Sequence, residues 1–174
     1  MTDRFAHHLR LDQIRDGERL DLTADQPERE SIADRLGLAT LDRLDAHVTL
    51  FRTGPKVRAE GRAVAALEQS CVVTGEPVAA HIDEAFQLLF IPEPDAAGPD
   101  EEIELGEEDC DIVFYDGAAI DLGSAIADTL ALSIDPYPRS ASAEAALREA
   151  GVLSEEQASP FAALAALKGQ KSDG

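Results

Sequence analysis

The sequence predicts an α+β fold: an antiparallel sheet with long hairpin strands, one covering helix and a helical C-terminal tail. Three observations carry this. Apolar and polar residues alternate over 44–53 and again over 57–67, on either side of Thr53-Gly54-Pro55-Lys56. Leu122, Ile126, Leu130 and Ile134 recur at helical spacing between Asp121, a capping residue, and the Asp135-Pro136 stop. Residues 140–174 are rich in Ala. The expected division is a single α+β domain over 1–139 and a partly helical or flexible tail over 140–174.

In the hairpin, Leu44, Ala46, Val48 and Leu50 mark the inner face of the first strand, and Val57, Ala59, Gly61, Ala63, Ala65 and Leu67 that of the second. Upstream, residues 5–9 and 19–23 read as two short strands around the Asp16-Gly17 turn signal. A helix follows. Asp25 suits its N-cap and Pro27 its first turn, while Glu28 and Glu30 suit the positive end of its dipole. Ile32, Ala33 and Leu36 form its apolar stripe, and Gly37 stops it.

Beyond the hairpin, residues 70–78 form a turn in which Gly75 is placed for a positive φ and Pro77 fixes the exit. Residues 78–91 read as another long strand, with Ile82, Phe86, Leu88 and Phe90 apolar. Residues 92–109, dense in Pro, Gly, Asp and Glu, read as a mobile acidic loop. Residues 111–115 are one more strand, and 122–134 the covering helix. Short helices are expected at 143–150 and 160–168.

The chain has 174 residues, 44% of them apolar and none of them Trp, so it can build one core, mainly from Leu, Val, Ile and Ala. No apolar run reaches the roughly 18 residues a membrane helix needs. Residues 1–10 lack the apolar centre of a signal peptide, so a cytoplasmic location without membrane association is expected. Cys71 and Cys110 do not make a disulfide framework and are expected to be free thiols.

The formal charge of −20 is unevenly spread. Residues 63–138 contain no Lys or Arg and 18 Asp or Glu. The other 98 residues are nearly balanced, with 15 basic and 17 acidic groups. Such a field repels phosphate backbones and attracts cationic surfaces. One reading is a solubility device. The other is a docking surface for a basic protein, for which a ribosomal protein is a natural candidate. The opposite charge gathers on the hairpin, where Arg52, Lys56, Arg58 and Arg62 make a candidate RNA-binding patch.

Signals for catalysis are weak. His7, His8, His47 and His81 have no second ligand at metal spacing. There is no phosphate-cradling glycine loop and no nucleophile elbow. The acidic loop lacks the ordered spacing of a calcium site. Cys71 has the one catalytic look, but its negative surroundings are expected to raise the thiol pKa, which favours a structural role. No enzyme activity, metal or cofactor is expected.

Three stretches carry a family resemblance. The first is Cys71-Val-Val-Thr-Gly-Glu-Pro-Val78. The second runs from Ile120-Asp121-Leu122-Gly123 through Thr129-Leu130-Ala131-Leu132 to Asp135-Pro136-Tyr137-Pro138-Arg139. The third is Ser159-Pro160-Phe161 through Lys168. Their order and content resemble the YceD-like family of bacterial proteins, also described as large ribosomal RNA subunit accumulation proteins. The resemblance covers most of the chain from about residue 63 onward. It implies a factor in ribosome biogenesis that helps make or stabilise large-subunit ribosomal RNA, with no known catalytic activity. Many relatives carry a second cysteine where this chain has Thr74, so a Cys-rich metal clip is not expected here.

Partner-binding candidates follow from these motifs: Cys71, Thr74, Glu76, Pro77, Asp121, Asp135, Tyr137 and Arg139. The same residues can instead be folding devices that shape a turn and close a helix. The leading expectation is a factor that binds a basic ribosomal or assembly protein. The alternative is direct contact with ribosomal RNA through Arg52, Lys56, Arg58 and Arg62.

Overall fold

A computed structural model describes residues 7–93 and 111–152. The start of the first expected strand, most of the acidic loop, Cys110 and the expected helix at 160–168 lie outside the described residues. The chain divides into two compact units, one within 1–69 and 79–136, the other within 70–78 and 137–174.

The α+β fold is present. In the larger unit β1 (His8–Arg10) leads through a 3-10 turn into β2 (Glu18–Thr23), then α1 (Gln26–Leu36). The long strands β3 (Thr40–Thr53), β4 (Lys56–Ser70) and β5 (Pro77–Pro92) follow. Next come β6 (Asp111–Tyr115), β7 (Ala119–Asp121) and α2 (Leu122–Ser133). A five-stranded sheet has the order β2-β3-β4-β5-β6, and β1 pairs with β7 in a separate ribbon.

Two pairings differ from the sequence expectation. The strands flanking Asp16-Gly17 are not partners. β2 pairs with β3, which sets Leu20 opposite Val48 and Leu22 opposite Ala46, while β1 pairs with β7 through Leu9 and Ile120. Ile14 is buried between them and Gly17 N–H donates to Leu50 O, so the chain turns from one sheet into the other. β6, for its part, runs parallel to β5, with Leu88 opposite Asp111 and Pro92 opposite Tyr115. A parallel pair needs a crossover of a dozen or more residues, and residues 94–110 supply one of sufficient length.

The hairpin strands β3 and β4 pair along their length, Thr53 opposite Lys56 and Leu41 opposite Leu67, with one irregularity between Leu41 and Arg43. Their alternating inner residues are buried as the pattern demands, apart from Gly61, which is half-buried. Ile32 and Ala33 of α1 and Leu122, Ile126 and Leu130 of α2 join them in one hydrophobic cluster, so α1 contributes to the core alongside the covering helix. Each helix has the start its sequence encodes. The Asp25 carboxylate accepts from Glu28 N–H at 2.9 Å and the Glu28 carboxylate from Asp25 N–H at 2.8 Å, a reciprocal cap. Gly37 closes α1 at φ 65°. The Asp121 carboxylate accepts from Ser124 N–H at 3.0 Å and starts α2. Tyr115 of β6 donates its hydroxyl to Pro55 O at 2.6 Å, tying the edge strand to the hairpin turn.

The smaller unit contains the turn after β4 and α3 (Ala143–Glu149).

Candidate functional site

The turn that carries the cysteine motif folds back on itself. Cys71 N–H donates to Glu76 O at 2.8 Å, and Gly75 N–H donates to Cys71 O at 2.9 Å. Gly75 has φ 75°, the left-handed conformation its position called for. Val72 N–H donates to Pro138 O at 2.9 Å, so the cysteine turn and the proline-bearing stop lie side by side.

Cys71 begins this turn and is 3% exposed. Its Sγ accepts backbone N–H groups from Thr74 at 3.4 Å and from Ser140 at 3.3 Å. Around it runs a hydroxyl–carboxylate chain. Thr74 Oγ1 donates to Glu76 Oε2 at 3.1 Å and lies 3.1 Å from Ser140 Oγ. Ser140 Oγ lies 3.0 Å from Ser142 Oγ, and Ser142 Oγ donates to Glu76. The hydroxyl of Ser142, with those of Ser140 and Thr74, holds the Glu76 carboxyl below the usual carboxylate range.

The thiol departs from the sequence expectation. Burial pushes its pKa up, but the hydrogen bonds from Ser140 and Thr74 outweigh burial and bring it down from 9.0 to about 6. The expected rise counted nearby carboxylates. The controlling groups are the hydroxyls of Ser140 and Thr74, followed by their backbone N–H groups, and Ser140 lies far along the chain. Between pH 6 and 9 the folded chain therefore holds a thiolate where the unfolded chain holds a thiol. The resulting stability is fully present above pH 9 and is lost as pH falls through about 6. Denaturant midpoints of the parent and of Cys71→Ala should accordingly draw further apart, in favour of the parent, from pH 6 to pH 9. A pH-independent difference would show that the sulfur is held as a thiol.

Of the other motif residues, Pro77 opens β5. Tyr137 is 71% exposed, Arg139 is exposed, and Val72 is also an exposed apolar side chain. Asp121 and Asp135 lie in the larger unit, at the two ends of α2. Asp121 caps the helix and lies 3.8 Å from His8. The Asp135 carbonyl accepts from the Gln69 side chain at 2.8 Å. Gln69 is the buried polar residue of β4, and this bond fixes where the chain leaves the helix. The structure thus joins Cys71, Thr74 and Glu76 in one cluster and leaves Asp121 and Asp135 outside it. Ser140 and Ser142 complete the cluster and were not read from the sequence. Two serines at the start of an Ala-rich stretch give no local signal of a partner at the cysteine turn.

The hairpin cations are largely engaged within the sheet. Arg52 donates to Leu11 O and, at 3.1 Å, to Gly54 O. Arg58 pairs with Glu60 at 3.1 Å and lies over the Phe51 ring, 5.1 Å from its centroid. Arg62 pairs with Asp83. Lys56 is exposed at the turn. The four therefore do not form a field of unopposed positive charge. Among the described residues no group of three or more His, Cys, Asp or Glu could hold a metal ion, and no helix is long and apolar enough to cross a membrane.

A family model described as "Large ribosomal RNA subunit accumulation protein YceD" matches residues 59–168. The matched region contains the cysteine turn, both ends of α2 and the whole stretch between them. It begins after Arg52, Lys56 and Arg58. No curated protein and no solved structure matches the chain.

Proposed function

The chain belongs to the YceD family of large ribosomal RNA subunit accumulation proteins, and we propose that it acts there by binding a basic ribosomal or assembly protein, without chemical turnover. The observation that carries this reading is the segregation of charge. The 18 carboxylates of residues 63–138, with no Lys or Arg among them, fall inside the family-matched region. A field of that sign raises the local concentration of cationic partners and opposes direct approach of an RNA backbone. Glu60 beside Arg58 and Asp83 beside Arg62 offset the positive charge of the hairpin, so it offers an RNA backbone less net attraction than four unopposed cations would. The buried Cys71 sulfur, held by two backbone N–H groups, fits an anion that shapes the turn rather than a nucleophile open to substrate.

The test uses purified large-subunit ribosomal proteins, separated from their RNA and passed over the immobilised chain. Identified basic proteins should be retained at about 50 mM salt and released at about 500 mM, where the Debye length falls below about 5 Å. Retention of bare large-subunit RNA, with none of those proteins held, would overturn the proposal.

A further inference from the structure

We propose that the cleft between β6 and α2 is the seat for a Lys or Arg side chain of that basic partner. The inference rests on the proposed binding of a basic protein and says where on the chain the contact is made.

The cleft is an open hollow of about 370 Å³ in the larger unit. Phe90, Val113 and Ala125 give it apolar lining, and Asp116, Asp121 and Asp128 are the carboxylates around it. No Lys or Arg lines it. The comparable hollow between α1 and β3 differs on this point, because Arg29 lines it together with Glu30, Asp34 and Asp42. An apolar lining with several carboxylates fits one chemistry. A Lys or Arg lays its methylene stem along apolar surface and keeps its charged head at oxygen acceptors. A phosphate or a carboxylate ligand would meet like charge.

The carboxylates have partners within the chain that a visitor can displace. Asp128 lies 3.4 Å from Arg35 and is 69% exposed, and Asp121 lies 3.8 Å from a largely exposed His8. Each pair has one largely exposed member, Asp128 in the first and His8 in the second, while Arg35 and Asp121 are half-buried, so an entering cation competes with weak, partly screened pairs. Glu93 N–H donates to Tyr115 O at 3.0 Å, which sets one more carboxylate-bearing residue next to a residue of the lining. Three lining carboxylates with no Lys or Arg among the lining residues make the cleft attractive to cations, and long-range attraction delivers a basic segment to it.

The experiment measures binding of a short labelled peptide alternating Ala and Lys to the full chain by fluorescence anisotropy at low salt. Three variants of the chain and two peptides are compared. The cleft variant is Asp116→Asn/Asp121→Asn/Asp128→Asn, in which the amide side chain introduced at position 121 retains the helix cap. The charge-matched control is Asp34→Asn/Asp42→Asn/Glu84→Gln, all at exposed positions. A third variant, Asp128→Asn alone, serves should the triple fail to fold. The second peptide replaces each Lys with 2,4-diaminobutyrate, which keeps the charge and shortens the stem. The cleft triple should weaken binding about tenfold or more and the control about twofold or less, because one removes contacts and the other only distant charge. Asp128→Asn should weaken binding more than the control triple does. The short-stem peptide should bind the parent more weakly than the Lys peptide. Equal losses in cleft and control variants, or equal binding of the two peptides, would overturn the cleft and leave a diffuse acidic surface as the docking element. No binding by the parent at low salt would overturn both the cleft and the basic-partner reading.

Discussion

Replacing Gly61 with Ala should cost about 3 kcal/mol or more of stability, beyond the usual ~1–3 kcal/mol for overpacking. Gly61 lies mid-strand in β4, opposite Val48 of β3. A Cβ there would fall 2.3 Å from the His47 carbonyl oxygen, 2.9 Å from Phe86 Cζ and 3.1 Å from Val48 Cα. Two of these three atoms are backbone, fixed by the ladder that pairs His47 with Arg62. Phe86 is itself buried in the core, so its ring has little room to withdraw. Gly54→Ala is the comparison that isolates the cause. Gly54 has φ 61° and open space around its would-be Cβ, so its cost is backbone strain alone, about 1 kcal/mol. Urea midpoints of the two variants check this. Similar losses at both positions would mean that the sheet can part at Gly61 and that the close approach of Phe86 to β4 is not a constraint.

Gly61 also shows how far the sequence could be read. Its place in the alternation put it on the inner face, which is right. That a glycine is required there was invisible, because the demand comes from Phe86 on another strand. The same division runs through the fold. The β3–β4 hairpin was legible since one face of each strand is buried and the period of two survives over many residues. The strands extend to Thr40 and Ser70, because the irregularity between Leu41 and Arg43 breaks the alternation at one end and the buried residue at the other is the polar Gln69. β6 was legible as a strand, but an apolar pattern carries no direction, and its parallel pairing depends on the long connection before it. β1 and β7 are three residues each, too short to show a period. In the candidate site, Cys71, Thr74 and Glu76 were found because they are neighbours in sequence. Ser140, whose hydroxyl and N–H lower the thiol pKa, lies 69 residues away, and no local pattern announces it. The cleft was missed for the same reason, as Phe90, Asp116 and Asp128 meet only when β6 and α2 are set against β5.

Truncating Ile126 to Ala should destabilise the larger unit by about 2–5 kcal/mol, whereas Asp128→Asn, two residues on, should change stability by about 0.5 kcal/mol or less. The contrast comes from the two faces of α2. Leu122, Ile126 and Leu130 are at most 1% exposed and belong to the central hydrophobic cluster. Asp128 lies on the cleft side and is open to water. Removing three carbons from a fully buried site leaves a cavity that the packed sheet beneath cannot readily fill. Removing a charge from an exposed carboxylate forfeits one weak ion pair. Chemical denaturation of the two variants measures the difference directly, and a large loss at Asp128 or none at Ile126 would contradict the assignment of faces. The separation also governs how any effect on large-subunit ribosomal RNA is interpreted. A destabilised Ile126→Ala chain is cleared by proteases and lowers function through abundance alone. Asp128→Asn leaves abundance intact, so a defect in that variant, at equal protein level, reports on contact with the partner.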